Sequence, residues 1–212
     1  MIPRRQFSLA LTTPFALGLG AAPSWAQQAF QAGKDFYTLD RSVPSDAGPG
    51  KVELIEFFWY SCPHCNAFEP SFAQWVKAAP KDVVVRRVPV AFRDDFAPQQ
   101  RLYFALEALG WVETLHAKVF HAVHVERLGL NTDALIQAWI DKQGVDGKKF
   151  AETCKSFGVA GKVKRAVQLQ NDYRVEGVPS LGIAGRYYTD GTLAGSMERA
   201  LKVAESLIAR SR

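Results

Sequence analysis

The feature that most constrains this chain is a pair of cysteines, Cys62 and Cys65, placed where a strand passes into a helix. The preceding run, residues 52–59, is mostly apolar, which is typical of a central strand buried on both faces. The first sulfur is then predicted to lie over a helix N-terminus, where free N–H groups and the helix dipole stabilise a thiolate. This placement favours a redox-active dithiol over a structural disulfide, because a bridge across so short a loop adds little stability.

The other candidate ligands do not suggest a metal site. Besides the close pair the chain has a single further cysteine, Cys154, and three cysteines cannot form a disulfide scaffold. Structural zinc would need a second pair of Cys or His ligands. His116, His121 and His124 lie together on one predicted helix without a second cysteine among them. We interpret these histidines as surface or core-edge residues and predict no metal.

The first 26 residues are predicted to be a secretion signal that is removed. Arg4 and Arg5 form a basic start, residues 7–20 are a short apolar run, and residues 24–26 read Ser-Trp-Ala, a small-x-small cleavage site. The mature chain would begin at Gln27 in an oxidising compartment outside the cytoplasm. The paired arginines also resemble a twin-arginine signal, so the export route stays open.

Composition indicates a globular protein and gives no support to nucleic-acid binding. Apolar residues make up 48% of the chain and charged residues 22%. The net charge of +5 is small, and no Lys/Arg cluster is interleaved with aromatic residues. A length of 212 residues is enough for one well-buried domain with an insertion.

The order of apolar patterns predicts an α/β fold, βαβ followed by helices and then ββα. Strands at 51–60 and 83–92 flank the dithiol helix at 62–78. In such a βαβ unit the two strands are neighbours in the sheet and run parallel. A block at about 95–174 shows only helical periodicity and is predicted to be an all-helical subdomain inserted into residues 27–212. Shorter elements are predicted as strands at 36–39, 180–184 and 186–189, a loop at 190–196 and a helix at 197–209.

Five helices are predicted in the inserted block. Thr132 is a plausible N-cap for the third of them. Phe150, Cys154 and Phe157 fall on one helical stripe, so Cys154 is predicted to be a buried small hydrophobe rather than a third redox thiol. The predicted helices span residues 98–111, 113–126, 132–143, 147–157 and 159–173.

The stretch Glu-Phe-Phe-Trp-Tyr-Ser-Cys-Pro-His-Cys at residues 56–65, with Gly-Val-Pro at 177–179, resembles the DsbA family of periplasmic disulfide oxidases in the thioredoxin superfamily. The resemblance covers the whole mature chain and implies a thioredoxin-like fold. It implies an enzyme that donates its Cys62–Cys65 disulfide to newly exported, reduced proteins through a mixed disulfide on Cys62. It also implies a periplasmic monomer without a separate cofactor, reoxidised by a DsbB-like quinone-linked membrane oxidase.

The resemblance also assigns roles around the dithiol. Cys62 would be the nucleophile and Cys65 the shielded resolving thiol. Pro63 suits the first helical turn, and His64 would tune Cys62 by charge and hydrogen bonding. The alternative for His64 is an exposed histidine without a role.

A second group of residues would act from neighbouring strands. Glu56 would lie under the dithiol and help move the proton when Cys65 ionises; a partly solvated strand glutamate is the alternative. The family's buried lysine partner aligns with Arg87, which cannot act as a proton donor at ordinary pH. Pro179 is predicted to be cis, so that the backbone of Val178 can pair with a substrate strand.

Two other functions remain open from the sequence. One is a disulfide reductase or isomerase of the same fold. The other is a peptide-binding chaperone module, for which an aromatic rim of Trp59, Tyr60 and Phe96 would be suitable. The equilibrium of the Cys62–Cys65 pair with glutathione separates these functions from an oxidase.

Overall fold

The computed structural model describes residues 30–212, and the predicted signal at residues 1–26 lies outside them. Five strands form one sheet in the order β1-β5-β4-β2-β3. The β2–β3 pair is parallel, as the βαβ pattern predicts, and the other pairs are antiparallel. The strands are β1 Tyr37–Thr38, β2 Val52–Phe58, β3 Val83–Pro89, β4 Ser180–Ile183 and β5 Tyr187–Asp190.

The helices follow the predicted order, with the dithiol helix α1 between β2 and β3 and a block of five helices between β3 and β4. A short 3-10 turn at Asp94–Phe96 opens that block. No helix within residues 30–212 is long and apolar enough to cross a membrane. The helices are α1 Pro63–Ala78, α2 Ala97–Ala108, α3 Val112–His124, α4 Asp133–Ile140, α5 Gly147–Cys154, α6 Phe157–Asp172, α7 Gly191–Ala194 and α8 Met197–Arg210.

Strand β2 is buried along its whole length because both faces of the sheet are covered. Leu54 joins a core that includes residues of α1 and α8. Ile55 and Phe57 join a second core, shared with the helical block. This two-sided cover explains the nearly continuous apolar run in the sequence, and it fixes the end of β2 next to the start of α1.

Short polar side chains set the starts of several helices. Thr132, Asp146 and Ser156 each accept a hydrogen bond from the backbone N–H three residues further on. The predicted N-cap at Thr132 is therefore confirmed. Replacing such a cap by alanine costs about 1 kcal/mol, so these residues contribute directly to where the helices begin.

Two local predictions are wrong. Residues 190–196 are not a simple loop, because Asp190 accepts the N–H of Leu193 and starts the short helix α7. The proposed stripe through Phe150, Cys154 and Phe157 is also broken. Helix α5 ends at Cys154 and α6 restarts at Phe157, so Phe157 is 98% exposed and Cys154 only half-buried.

Candidate active site

Cys62 is the N-cap of α1, as its position in the sequence predicts. Its extended backbone (φ −82°, ψ 119°) turns the chain from β2 into the helix. Its sulfur accepts the backbone N–H of Cys65 at 3.4 Å, so sulfur replaces the oxygen of an ordinary N-cap side chain. Cys62 remains 8% exposed, whereas Cys65, one turn further on, is 1% exposed.

The two thiols have opposite acidities. The Cys65 thiol donates a hydrogen bond to the Cys62 sulfur, which also receives backbone N–H groups of Cys65 and His64, and together they lower the pKa of Cys62 to about 6 despite its burial. Burial raises the pKa of Cys65 far above its usual range. At neutral pH the negative charge of the pair therefore lies on Cys62 and the proton on Cys65.

The loop before β4 lies against the nucleophile. The Val178–Pro179 peptide bond is cis, as predicted. The Cys62 sulfur lies 3.3 Å from the Val178 carbonyl oxygen and can donate to it while it is protonated. Val178 is only partly buried, and it lies beside the reactive sulfur.

Pro63 and His64 form the outer surface of the dithiol turn. Pro63 occupies the first helical position, where a missing N–H leaves no hydrogen bond unmade. The His64 side chain is exposed and borders a groove of about 430 Å³ next to the cis-proline loop. The other residues lining this groove are Gly177, Val178, Pro179, Asp190, Gly191, Thr192, Gly195, Ser196 and Met197.

A buried charge cluster lies on the inner side of the site. The parallel register of β2 and β3 places Glu56 opposite Arg87, and their side chains meet at 3.0 Å. Glu69, one helical turn after Cys65 on α1, binds the same guanidinium with both carboxylate oxygens. Glu56 is 1% exposed, so the alternative of a partly solvated strand glutamate is excluded.

Helix α3 adds His116 to this cluster. Its ring is 4% exposed, with Nε2 2.7 Å from Nη1 of Arg87 and 3.4 Å from a carboxylate oxygen of Glu69. Its Nδ1 lies 2.8 Å from the hydroxyl of Tyr60, which is fully buried. The cluster therefore joins β2, β3, α1 and α3 beneath the dithiol.

The pKa values in the cluster diverge. Burial raises the pKa of Glu56 to about 8. Burial also opposes ionisation of Glu69, but its contacts with His116 and Arg87 outweigh burial and hold the pKa of Glu69 below its usual range. Burial lowers the pKa of His116. Near pH 7 the cluster thus contains one ionised carboxylate, one guanidinium, one neutral imidazole and one protonated carboxyl group.

The prediction for the three histidines is wrong for His116, which lies in the core. His124 is at the core edge, where Nε2 donates to the Tyr60 carbonyl oxygen at 2.8 Å. His121 is exposed and pairs with Glu126. Helix α3 therefore holds Tyr60 at both its hydroxyl and its main chain. Among residues 30–212, no group of three Cys, His, Asp or Glu residues could hold a metal ion.

The proposed aromatic rim is also corrected. Tyr60 and Phe96 are buried, so they are not surface residues. The Trp59 ring is half-buried and stacks on Phe96, with centroids 3.9 Å apart and an interplanar angle of 11°. Phe92, which is 40% exposed, contacts Phe96 edge-on and provides the exposed apolar surface of this group.

Two cluster residues were missed by the sequence analysis, although spacing could have revealed both. Glu69 lies four residues after Cys65 and three before Phe72, on the buried face of α1. His116 lies four residues before Phe120 on the buried face of α3. A polar residue inside an apolar helical stripe is a signal for a buried partner, but the partner is on another element.

Comparison with known proteins gives concordant matches. A family model described as DSBA-like thioredoxin domain matches residues 53–201. The thiol:disulfide interchange protein DsbA of Bordetella parapertussis is 43% identical over 206 residues, covering 97% of this chain and 93% of the relative. The protein of the same name from Burkholderia cepacia is 40% identical over 201 residues, covering 94% and 95%.

Solved structures give the same picture. The crystal structure of Pseudomonas aeruginosa DsbA is 37% identical to this chain and superposes with a TM-score of 0.82. The superposition covers 86% of this chain and 95% of that one. It extends over the helical block as well as the sheet, since neither part alone would reach that coverage.

Proposed function

The chain belongs to the DSBA-like thioredoxin domain family, and from this we propose that it donates its Cys62–Cys65 disulfide to reduced, newly exported proteins. It is a protein disulfide oxidoreductase. The observation that carries the assignment to an oxidase is the position of the Cys62 sulfur at the helix N-terminus, with its pKa lowered to about 6. A group that stabilises the thiolate stabilises the reduced form and makes the disulfide a better oxidant.

The first step transfers the client to Cys62. A client thiolate attacks the Cys62 sulfur, a new S–S bond forms between client and enzyme, and the Cys62–Cys65 bond breaks. Cys65 leaves with the electron pair as a buried thiolate. Its raised pKa means that it takes up a proton at once, for which we propose Glu56 as the donor.

The second step releases the oxidised client. A second client thiolate attacks its own sulfur in the mixed disulfide, and Cys62 leaves as a thiolate. The client has lost two electrons and two protons, and the enzyme has become the dithiol. The low pKa of Cys62 makes it a good leaving group in this step.

We assign client binding to the backbone beside the nucleophile. Val178 is partly buried next to the Cys62 sulfur, so an extended client strand that reaches the sulfur could pair with its main chain without a sequence requirement. The adjacent groove bordered by His64 could receive client side chains. Pro63 and His64 would shape the dithiol turn and tune its potential.

We also propose the setting in which the protein works. The predicted signal at residues 1–26 and the relatives named DsbA support a periplasmic location. Residues 27–212 would form one monomeric thioredoxin-like domain with a helical subdomain at about 95–174. The dithiol would be reoxidised by a DsbB-like, quinone-linked membrane oxidase, and the disulfide itself would replace any separate cofactor.

A redox equilibrium with glutathione tests the oxidase assignment. The mature protein is equilibrated with mixtures of reduced and oxidised glutathione, and the fraction of Cys62–Cys65 disulfide is measured by alkylation and mass spectrometry. We expect the pair to be reduced even when oxidised glutathione predominates, and Cys154→Ala to behave identically. A pair that stays oxidised in reducing glutathione would instead indicate a reductase. In a separate assay without reoxidant, each enzyme disulfide should oxidise one pair of client thiols.

A further inference from the structure

One nitrogen of Arg87, Nη1, lies within hydrogen-bond distance of more acceptors than it has hydrogens. Nη1 carries two hydrogens, but it lies 3.0 Å from Glu56 Oε2 and 2.7 Å from His116 Nε2, and it also contacts Glu69 Oε2. Nη2 lies 3.1 Å from the other oxygen of Glu69, so that carboxylate is held by the bidentate geometry typical of a strong pair. One hydrogen of Nη1 remains for Glu56 and His116.

His116 makes the shorter of the two contacts with that hydrogen's nitrogen, 2.7 Å against 3.0 Å for Glu56. A guanidinium is always a donor, so an approach of 2.7 Å requires a lone pair on Nε2. The proton of the neutral ring is then on Nδ1, which donates to the Tyr60 hydroxyl at 2.8 Å. A proton on Nε2 would place two N–H groups against each other, so this tautomer is excluded by the Arg87 contact.

Glu56 therefore has to share its one Arg87 hydrogen with His116. A buried carboxylate that has only a shared hydrogen bond is poorly stabilised, and this favours the neutral carboxyl form. We propose that His116 is a positioning residue that weakens the hold of Arg87 on the Glu56 carboxylate, by competing for the Arg87 N–H that both groups contact. His116 touches neither the client nor the sulfurs and acts through Arg87.

The benefit for the reaction rests on the proposed function. When Cys65 leaves as a thiolate, Glu56 gives up its proton, so that a thiol and a carboxylate replace a thiolate and a carboxylic acid. The Arg87 hydrogen can then move from His116 to the new carboxylate and stabilise it. Reoxidation returns the proton to Glu56 and the hydrogen to His116.

The other charged and titratable groups around His116 are consistent with a neutral ring. Glu69 faces it from α1 and Arg87 from β3, Tyr103 of α2 has its ring 5.8 Å away, and Glu113 lies on the same helix. Burial dominates among these influences and lowers the pKa of His116. The ring therefore stays an acceptor for Arg87 over the pH range in which Glu56 titrates.

Carbon-13 NMR of the Glu56 side-chain carboxyl group tests the proposal. The titration uses the oxidised mature protein, in which no thiol of the pair contributes. The variants are His116→Phe, which removes the acceptor, and His116→Gln, whose amide oxygen can replace Nε2. His121→Phe, on the exposed face of the same helix, is the matched control.

We expect the Glu56 pKa to fall by at least one unit in His116→Phe, a tenfold loss of proton affinity, and to stay near the wild-type value in His116→Gln and His121→Phe. No fall in His116→Phe, or an equal fall in the Phe and Gln variants, would overturn the proposal. If His116→Phe does not fold, nitrogen-15 NMR of the wild type decides. A protonated Nε2 between pH 6 and 8 overturns the proposal, and a protonated Nδ1 with a bare Nε2 supports it.

These measurements do not depend on oxidase activity. A Glu56 pKa that responds to His116 in a protein that fails to oxidise clients would refute the proposed function and leave the inference intact. Normal client oxidation, together with a Glu56 pKa that does not change in the His116 variants, would support the proposed function and refute the inference about His116.

Discussion

Negative charge is stabilised on the outer side of the dithiol and disfavoured on its inner side. On the outer side, the Cys62 sulfur receives hydrogen bonds from the first turn of α1, and its pKa falls to about 6. On the inner side, Glu56 lies beside a guanidinium and yet its pKa rises to about 8. The Cys62 thiol, normally the weaker acid, is thus ionised at neutral pH, whereas the Glu56 carboxyl group, normally the stronger acid, is protonated.

Burial alone does not explain the difference, because Cys62 and Glu56 are both largely shielded, with exposures of 8% and 1%. The difference lies in the number of hydrogens available to each. Cys62 receives N–H groups that have no other partner at a helix start, whereas the Arg87 hydrogens near Glu56 are shared with Glu69 and His116. Burial raises the pKa of Glu56, whereas at Cys62 the hydrogen bonds outweigh burial and lower the pKa.

The largest expected effect comes from removing the Cys62 thiolate on the outer side. Cys62→Ser should abolish client oxidation, because no sulfur remains to form the mixed disulfide. Cys65→Ser should instead accumulate a stable client–Cys62 disulfide, which non-reducing electrophoresis and peptide mapping would detect. Client trapped on Cys65 of the Cys62→Ser variant in comparable yield would reverse the two roles and invalidate the comparison.

Removing the Glu56 proton on the inner side should have a smaller effect on the reaction rate, and this effect should depend on pH. Glu56→Gln should slow reduction of the disulfide by a dithiol peptide by about 10²-fold at pH 6, the lower end of the usual contribution of a general acid. The wild-type carboxyl ionises near its pKa of about 8, so the difference should shrink above that pH. Stopped-flow rates from pH 6 to 9 measure this, and a defect that is constant with pH would exclude proton donation.

The outer thiolate should also make the stability of the reduced form depend on pH. The folded pKa of Cys62, about 6, is below its unfolded value. Its contribution to stability is therefore fully present above the unfolded pKa and is lost as pH falls through 6. Between pH 7 and pH 5 the free energy of unfolding of the reduced form should drop by about 1.4 kcal/mol relative to the oxidised form.

Denaturant unfolding of both redox forms at several pH values provides the measurement. The oxidised form has no thiol at this position, so it serves as the internal reference for all other titrating groups. We expect the reduced form to be the more stable one at pH 7. A stability gap that widens in acid would show that the thiolate is not the source of the oxidising power.

The outer side could be predicted from the sequence much better than the inner side. Cys62, Cys65 and the N-cap position follow from neighbouring residues along the chain, since a strand end and a helix start are local patterns. The cluster around Arg87 depends on which residues of β2, β3, α1 and α3 meet in space. The family resemblance points to Arg87 as the partner of Glu56, and the β2–β3 register confirms that pairing. Spacing can mark Glu69 and His116 as buried, but it does not give their partner, because their contact with Arg87 depends on how α1 and α3 pack against β3.

The third cysteine isolates the effect of the helix start. Cys154 is half-buried, but it is the last residue of α5 rather than an N-cap, and burial raises its pKa to about 11. It should remain a thiol at neutral pH, so Cys154→Ala should change the rate of client oxidation by less than about twofold, as for an ordinary substitution away from the site. In the reduced protein, iodoacetamide should modify Cys62 with a pH midpoint near 6 and leave Cys154 unmodified at pH 7. Equal reaction of the two cysteines at pH 7 would mean that the helix start does not lower the pKa of Cys62, and the contrast between the outer and inner sides would then need another cause.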